Sequence, residues 1–464
     1  MKRIILKRGE EIRIRAGHPW VYDNEIDKVV LPGPAGNAAH LECGETVDVE
    51  SFRKEYLGRA FANPASKIAA RICTPSKDGI DEGFFKRRIR QALERRVFAG
   101  LGPLRESFRL VFGEADFLPG LIIDCFTGWP ALEAEALPER PLRFESAAAA
   151  LGPPRACLAV QFLCAGVELR RAMILEAIKQ VFEGGAGPGG FPCPLPRLEC
   201  IIERSAAKAR EREGLPPSEG LIEGTLPQGG LLIFENGLPF AADLGEGQKT
   251  GHFLDQRETK ALAGAWAGAI FRERGSLRFL DAFSYTGGFG IHSCRGALHL
   301  AGQINRESDA DVKGLCVDSS APALACLKRN AAFNGVTSRI DAVESDVFTF
   351  LSSAVRQKER FDMIILDPPA FAKTRSSLAA ALSGYKEINL RALSLLRRGG
   401  VLVTCSCSQA LDEAGFRAML KDAADDAERR LQYLAFLSQP ADHPILAGYD
   451  ESHYLKCAFC HVLY

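Results

Sequence analysis

Hydrophobic and polar residues alternate in short runs over the first 76 residues of the chain. Runs of roughly four to eight residues with this period of two, bounded by glycine and proline, are typical of β-strands. Turn signals such as Gly17-His18-Pro19 separate the runs. We interpret these segments as strands: RIILK, EIRI, WVYD, ETVDVE, YLGRAFAN and KIAARIC. The pattern predicts a small, mostly β barrel over residues 1–76.

A mixed pattern follows over residues 77–238 and predicts a middle α+β domain. A basic helix is expected from Glu82 to Ala99, and two strands follow it in FRLVFGEADFLPGLIIDCF. Apolar segments at Cys157–Val160 and Met173–Phe182 fit a strand and a helix. Glycine and proline crowd the segment Glu183–Pro196, which predicts a loop or linker. Later segments read as further strands: ECIIERS, LIEGTLP and LLIFENGLPFAAD.

Strand-like and helix-like segments alternate from residue 239 to the end. The strand candidates are LRFLDAF, GLCVDSS, FDMIILD and GVLVTCS, and helices fit at Pro322–Asn334 and Tyr385–Leu396. Such alternation is typical of parallel sheets covered by helices. The predicted fold class is therefore α/β, with a Rossmann-like domain and a parallel-rich sheet over residues 239–464. Ligands of such sheets bind beyond the carboxyl ends of the strands.

Composition narrows the class of protein without identifying a partner. The chain has 464 residues, enough for two or three domains, and a formal net charge of zero, which neither favours nor excludes nucleic acid. Fourteen cysteines, no leader-like N-terminus and no long apolar stretch predict a cytoplasmic protein with reduced thiols and no membrane contact. Eight Lys and Arg residues accompany two acids between Phe84 and Arg109. This run is either a solvated helix face or a phosphate-contacting surface.

Acidic residues follow three successive strand candidates, and a glycine-rich turn follows the first. Asp281 precedes Gly287-Gly288-Phe289-Gly290, Asp318 ends the next strand, and Asp346 follows the third apolar segment. A carboxylate at such a strand end can accept hydrogen bonds from ribose hydroxyls, although each acid alone could equally cap a helix. The turn lacks both the dinucleotide fingerprint and a phosphate-binding Lys-Ser/Thr pair. A cofactor without a pyrophosphate, such as S-adenosyl-L-methionine, therefore fits better than NAD or ATP.

Two further strand ends carry candidate substrate chemistry. The prolines of Asp367-Pro368-Pro369 restrict the loop and remove N–H donors, so the Asp367 carboxylate can hold a flat heterocycle through its amino group. Cys405 and Cys407 point to the same face of a strand, with Cys407 nearer the carboxyl end. A thiolate there can add to C6 of a pyrimidine and make C5 nucleophilic. Either cysteine could instead be a buried core residue.

The C-terminal segment YLKCAFCHVLY contains a Cys-x-x-Cys-His pattern at residues 457–461. This pattern matches the attachment site of c-type haem. The surrounding alternation predicts a terminal β-strand, so we interpret these cysteines as buried strand residues and expect no metal site.

Eight motifs are distributed along the chain: Gly17–Tyr22, Gly113–Asp116, Leu118–Leu121, Lys249–Arg257, Phe283–Phe289, Asp367–Lys373, Asp442–Pro444 and Tyr454–Lys456. Taken together, they resemble the RlmI-type family of PUA-domain-containing rRNA methyltransferases, the cytosine-5 group that acts on 23S rRNA. The likeness spans nearly the whole chain, apart from Glu183–Pro196 and Ala301–Asp311, which look like insertions.

The resemblance implies S-adenosyl-L-methionine as methyl donor, large-subunit ribosomal RNA as substrate and, often, a homodimer. Asp367 would face the base, and Cys407 would be the nucleophile, with Cys405 as the second candidate. A related branch methylates guanine N7, so direct methylation of a ring nitrogen or exocyclic amine, without a covalent intermediate, is the alternative. A third interpretation is an RNA-binding assembly factor without catalysis. The implied cofactor-binding residues are Gln256, Asp281, Tyr285, Gly287, Asp318 and Asp346.

Overall fold

The computed structural model describes residues 1–32, 38–184, 194–245, 251–303, 309–371 and 378–464. Within these ranges the chain forms three sheets that follow one another along the sequence. No helix in the described ranges is long and apolar enough to span a membrane. Several predicted features lie wholly or partly outside them: the loop Glu183–Pro196, the insertion Ala301–Asp311, and the motif residues Lys249, Thr250, Ala372 and Lys373.

The N-terminal sheet has six strands in the order β2-β6-β5-β4-β1-β3. Val21 of β2 and Val29 of β3, from the two outermost strands, contact the same apolar core. The sheet therefore wraps around one core, and the predicted small β domain is confirmed. Its elements are β1 (Arg3–Leu6), α1 (Glu11–Arg15), β2 (Trp20–Tyr22), β3 (Ile26–Val30), β4 (Thr46–Glu50), β5 (Tyr56–Ala62) and β6 (Ile68–Thr74).

One predicted strand is wrong, because the segment EIRI forms the short helix α1. Its alternation suggests two inward isoleucines, but Ile12 is 69% exposed and Ile14 is buried. The turn lets Arg13 reach the carboxylate of Glu25 at 2.5 Å while Ile14 enters the core. These tertiary contacts override a pattern of only four residues.

The middle sheet has the order β11-β10-β9-β8-β12-β13, with β7 paired to β8. Helices α2 and α6 cover one face, and the other face joins the core of the third domain. The boundaries proposed after residues 76 and 238 stay predictions; pairing of β13 with β12 favours a second boundary after Ala242. The elements are α2 (Glu82–Phe98), β7 (Phe108–Phe112), β8 (Leu121–Pro130), α3 (Ala131–Glu135), α4 (Phe144–Leu151), β9 (Arg155–Phe162), α5 (Ala165–Leu169), α6 (Arg171–Glu183), β10 (Arg197–Arg204), α7 (Lys208–Arg212), β11 (Glu219–Gly224), β12 (Leu231–Glu235) and β13 (Leu238–Ala242).

The basic run of the middle domain does not form one surface. Arg96 is buried and makes two hydrogen bonds, of 2.6 and 2.7 Å, to Asp116. Arg109 pairs in the same two-bonded way with Asp124, at 2.8 and 2.9 Å. Two of the eight cations therefore form ion pairs within the protein. They belong neither to a solvated helix face nor to a phosphate-contacting surface, the two interpretations that the sequence offered.

The third sheet has the order β16-β15-β14-β17-β18-β20-β19. The first five strands are parallel, and β20 runs antiparallel to both of its neighbours. Helices α8–α10 cover one face and α11–α13 the other, which confirms the Rossmann-like α/β prediction. The elements are α8 (Arg257–Arg274), β14 (Ser276–Ala282), α9 (Gly288–Gln303), β15 (Asp311–Asp318), α10 (Ala321–Phe333), β16 (Ile340–Glu344), α11 (Val347–Arg356), β17 (Phe361–Leu366), α12 (Leu378–Leu395), β18 (Leu396–Ser406), α13 (Glu413–Asp426), β19 (Leu431–Leu437) and β20 (Lys456–Val462).

Candidate active site

The carboxyl ends of four neighbouring parallel strands meet at one edge of the third sheet. Ala282, near the end of β14, lies opposite Val317 of β15 and Leu366 of β17. Leu366 in turn lies opposite Thr404 of β18. The residues that follow these positions therefore surround one crevice, where α/β proteins of this kind bind ligands. The predicted site residues Asp281, Asp318, Asp367 and Cys407 all lie at these strand ends.

The turn between β14 and α9 has an unusual backbone that closes the crevice on one side. Phe283, Tyr285 and Gly287 have φ values of +64°, +48° and +84°. A Cβ on Gly287 would lie 2.7 Å from Cγ of Leu327, so both the conformation and the space require glycine. The amide N–H of Tyr285 donates to Oδ2 of Asp318 at 2.8 Å. The turn is thus folded back onto the end of β15.

Asp281 is fully buried beneath this turn. Its Oδ2 accepts a hydrogen bond of 2.8 Å from the amide N–H of Gly290, whereas Oδ1 has no hydrogen-bond partner among the described residues. Burial raises the pKa of this carboxyl group to about 8. The hydrogen bond from Gly290 lowers the pKa, whereas the negative charges of Asp367 and Asp318 raise it further. A buried acceptor of this kind suits a cationic ligand with N–H donors. S-adenosylmethionine, which carries a sulfonium and an amino group, meets that description.

Asp318 and Asp346 differ in their burial and in the hydrogen bonds that they already make within the protein. Asp318 is half-buried, and its two oxygens accept from the amides of Tyr285 and Ser320 at 2.8 and 2.9 Å. Each oxygen retains a second lone pair, so contact with ribose hydroxyls is compatible with these bonds. Asp346 is exposed and caps α11 through a 2.9 Å bond from the amide of Thr349. The cap is the alternative that the sequence left open, and the role of Asp346 toward adenine stays a prediction.

Gln256 links the substrate loop to the C-terminal strand. Its Nε2 donates to Oδ1 of Asp367 at 2.9 Å, and its Oε1 accepts from the thiol of Cys457 at 3.4 Å. The side chain is buried, at 3% exposure. Gln256 therefore supports the carboxylate of Asp367, a role that the sequence did not indicate, and its predicted contact with the cofactor remains a prediction.

The two candidate nucleophiles lie in different environments. Cys405 is fully buried opposite Cys457, and burial raises the pKa of its thiol well above the ordinary value, with the neighbouring Cys457 thiol adding to the effect. Such a cysteine is a poor nucleophile. Cys407 follows the end of β18, is half-buried and packs against the same apolar cluster as Cys405, as side-chain alternation predicts. The geometry thus favours Cys407.

Lys456 stands beside Cys407, and sequence reasoning gave it no role. Its buried Nζ donates to the carbonyl oxygens of Ser408 and Tyr454 at 2.7 and 2.8 Å. Burial lowers the pKa of Lys456 to about 8, while the negative charge available at Cys407 opposes that shift. The sequence signal is a lysine at the start of an otherwise apolar strand, whereas its place opposite Ser406 comes from the pairing of β18 with β20.

The cysteines of the Cys-x-x-Cys-His pattern lie on β20, as the alternation predicts. Cys457 faces the core shared with α8 and α9, whereas Cys460 faces the core on the opposite side of the sheet. Because the two thiols point to opposite faces, this strand cannot present both to one haem.

Comparison with protein families separates two regions of the chain. Residues 4–75 match a family of PUA-like domains, and residues 221–456 match a family of S-adenosylmethionine-dependent methyltransferases. A ribosomal RNA large subunit methyltransferase I from Cronobacter sakazakii is 33% identical over 464 residues, covering 99% of both chains. A protein of the same name from Yersinia pestis is 34% identical over the same extent.

Solved structures share the architecture of the entire chain. A proposed SAM-dependent methyltransferase from Streptococcus mutans superposes over 100% of both chains with a TM-score of 0.73 at 18% identity. A second structure, a proposed methyltransferase in complex with SAH, gives the same TM-score at 19% identity and the same coverage. At these identities the likeness shows a common fold.

Proposed function

Because the chain belongs to the family of ribosomal RNA large subunit methyltransferase I, whose catalytic domain is S-adenosylmethionine-dependent, we propose that its product is 5-methylcytosine in 23S rRNA. What supports this proposal is that β17 and β18 end side by side: Asp367 directly follows the first strand, and the half-buried thiol of Cys407 follows the second. A methyltransferase that acts on an already nucleophilic nitrogen has no chemical need for the thiol.

The cofactor would be held at the ends of β14, β15 and β16. Asp281 and Asp318 supply acceptors there, and Tyr285 and Gly287 shape the turn above them. Asp346 would reach the adenine ring. S-adenosylmethionine, when bound, supplies an electrophilic methyl group. The chain's own contribution is to hold the acceptor carbon in line with that group and to exclude water.

The thiol of Cys407 would activate the pyrimidine ring. As the thiolate, its sulfur forms a bond to C6, and the electrons of the 5,6 double bond move to C5 and make it nucleophilic. Asp367, held by Gln256, would accept a hydrogen bond from the exocyclic amino group and keep the ring in register. C5 gains the methyl group as the bond from that group to the sulfonium sulfur breaks and its electron pair stays on sulfur. The C5 proton then passes to a basic group, the S–C6 bond breaks, and the aromatic ring and the thiolate of Cys407 are restored.

The RNA would be held by parts of the chain outside the crevice. The PUA-like domain and the exposed cations of α2 supply shape and phosphate contacts, and the target base would be flipped out of its stack. A ribosomal RNA substrate fits a cytoplasmic location. A homodimer, implied by the family resemblance, is tested by the mass of the protein in solution.

The test is transfer of labelled methyl groups from S-adenosylmethionine to unmodified large-subunit rRNA, followed by mapping of the modified base. Cys407→Ala should abolish transfer, because the ring is then not activated. Cys43→Ala, which removes an exposed thiol of the first domain, is the matched control and should leave activity unchanged. Full activity of the Cys407 variant would remove the support for covalent catalysis.

The alternative is direct methylation of a ring nitrogen or exocyclic amine, for example guanine N7, with Asp367 orienting the base. RNA containing 5-azacytidine separates the two reactions. Only attack by Cys407 on a cytosine ring traps the enzyme on this RNA, because N5 carries no proton that can be lost to release the adduct. A methylated guanine and no adduct would favour the alternative.

A further inference from the structure

A cavity of about 290 Å³ lies beside the candidate active site, between the middle domain and the catalytic domain. Phe112 and Gln161 line it from the middle sheet, and Asp255, Gln409 and Tyr454 line it from the catalytic domain. It is therefore a joint product of two domains and exists only when they are assembled.

The cavity adjoins the reaction centre without containing it. Asp255 precedes Gln256, whose amide binds Asp367, and Gln409 follows Cys407 by two residues. Neither Asp367 nor Cys407 lines the cavity. A target base bound by Asp367 and Cys407 would therefore leave the cavity free for the neighbouring nucleotide of the RNA.

Flat rings form much of the cavity wall. The ring of Phe112 lies 5.4 Å from that of His443 and 6.2 Å from that of Tyr454, with tilted geometry in both cases. Nucleobases stack on aromatic side chains of this kind in single-stranded RNA complexes.

Carboxylates and amide side chains supply hydrogen-bond acceptors along the wall, beside the imidazoles of His252 and His443, which interact with Glu235 and Asp442. Oδ2 of Asp255 accepts from the Tyr454 hydroxyl at 2.7 Å, and Glu451 adds a second carboxylate. The one lining guanidinium, Arg109, is already bound twice to Asp124, and it lies over the Phe112 ring at 5.4 Å, so a stacked base would take the side of the ring away from Arg109. A phosphate would meet these carboxylates unfavourably, whereas the amino edge of a nucleobase finds acceptors.

We propose that this cavity receives the base of the nucleotide immediately adjacent to the target, stacked against Phe112, so that the middle domain reads RNA sequence. The volume is near the lower end of the roughly 300 Å³ and upward found for ligand pockets, which suits a single base. The inference rests on the proposed RNA methylation, and it adds a recognition site that Cys407 and Asp367 do not provide.

The test combines a change in the protein with a change in the RNA. The probe is a synthetic fragment of large-subunit rRNA that carries the mapped target, with an abasic ribose at its 5′ or 3′ neighbour. For the wild-type enzyme, one of these two abasic fragments should lose roughly tenfold in kcat/KM. Phe112→Ala should lose a similar factor in kcat/KM on the intact fragment. On that abasic fragment it should be as active as the wild-type enzyme, because the base that stacks on Phe112 is already missing.

Two further variants separate stacking from packing. Phe112→Tyr keeps a flat ring and should retain most activity, whereas Phe112→Leu fills the space without a ring and should behave like Phe112→Ala. Binding of S-adenosylmethionine and thermal unfolding should change little in all three. Tyr433→Ala, which removes a ring on β19 that does not line the cavity, is the control and should match the wild type.

The inference is overturned if the losses from Phe112→Ala and from the abasic neighbour multiply, if neither abasic fragment is impaired, or if Phe112→Leu is fully active. Failure of the proposed function looks different. In that case the wild-type enzyme transfers no methyl group to C5 of any cytosine, so there is no wild-type rate with which the variants and the abasic fragments can be compared.

Discussion

Asp281 is the residue whose chemistry depends most on its ligand. Burial raises its pKa to about 8, so the carboxyl group is mainly protonated in the ligand-free protein at neutral pH. A cationic cofactor favours the carboxylate, so binding releases a proton. We expect the affinity for S-adenosylmethionine to rise with pH up to about 8, by at most roughly tenfold per pH unit. Calorimetry in buffers of different ionisation enthalpy measures both quantities.

Asp281→Asn provides the control for that measurement, since its amide has the same shape and does not titrate. Its affinity should be lower and should vary less with pH. An affinity of the wild-type protein that is flat between pH 6 and pH 8 would contradict the assignment of Asp281 to the cofactor.

Lys456 should control the reactivity of Cys407. Its ammonium group, charged below its pKa of about 8, favours the thiolate over the thiol at the neighbouring cysteine. Lys456→Met should therefore slow alkylation of Cys407 by iodoacetamide several-fold at pH 7, as followed by peptide mass spectrometry. The difference should narrow above pH 8, where the wild-type lysine loses its proton.

Lys456→Arg keeps a cation at this position and should react faster than the Met variant at pH 7. Equal rates for all three proteins would mean that Lys456 has only a structural role, through its bonds to Ser408 and Tyr454.

Residue positions at strand ends could be predicted from the sequence, whereas their partners could not. The sequence alone identifies Asp318, Asp367 and Cys407 because each stands at or just beyond the end of a predicted strand. The support of Asp367 by Gln256 depends on contacts across 111 residues. The position of Lys456 depends on the pairing of β18 with β20, which local pattern does not encode.

At the scale of elements, the turn from β14 to α9 shows how backbone geometry makes the site. Gly287→Ala should cost about 1–2 kcal/mol of unfolding free energy from the left-handed backbone alone. The new methyl group would also press on Leu327, at 2.7 Å. The turn must then move, so we expect weaker binding of S-adenosylmethionine together with a lower melting temperature.

Gly275 offers a matched control for this substitution. It has a φ of +74° at the end of α8, and a Cβ there would meet nothing within 4 Å. Gly275→Ala should show the backbone cost without any change in cofactor affinity. Equal affinities for both variants would mean that the shape of the turn at Gly287 does not matter for binding.

Elements could be predicted from the sequence where the local pattern alone decides the structure, and not where tertiary contacts decide it. Long apolar runs such as Phe361–Leu366 identify central strands reliably because both faces of the sheet are covered. The segment EIRI was wrongly assigned because its fate depends on the pairing of Arg13 with Glu25.

At the scale of the whole molecule, buried polar contacts join the three domains. Asp442 accepts from the backbone N–H of Arg109 at 2.9 Å, and its own carbonyl accepts from Arg96 at 2.8 Å. Its carboxylate also pairs with Arg257 at the start of α8, at 3.4 Å. The middle domain is therefore fixed to the catalytic domain where the proposed base cavity lies. The sequence showed Asp442 as part of a family motif, but not this role.

The N-terminal domain is attached in a similar way, through Glu114 of the middle domain. Its Oε1 accepts from the indole N–H of Trp20 and from Arg71, both at 2.7 Å. Arg71 also binds Glu213 at 3.0 Å. Trp20, which the resemblance placed in the PUA signature, thus has its indole N–H engaged in docking the N-terminal domain to the middle domain.

Glu114→Ala tests whether this docking serves catalysis. The change leaves the indole N–H of the half-buried Trp20 without its acceptor and removes one of the two carboxylates on Arg71. Because Glu213 still pairs with Arg71, the cost should stay below the roughly 3–5 kcal/mol of leaving a buried charge without any partner. We therefore expect the N-terminal domain to unfold or detach separately, which calorimetry would record as a second transition at lower temperature. kcat/KM for rRNA should fall while the affinity for S-adenosylmethionine is unchanged.

Glu145→Ala, which breaks the exposed pair with Arg105, is the control and should alter neither the unfolding transitions nor kcat/KM for rRNA. A single unshifted transition for Glu114→Ala, with normal activity on rRNA, would show that the enzyme does not need the three domains fixed together.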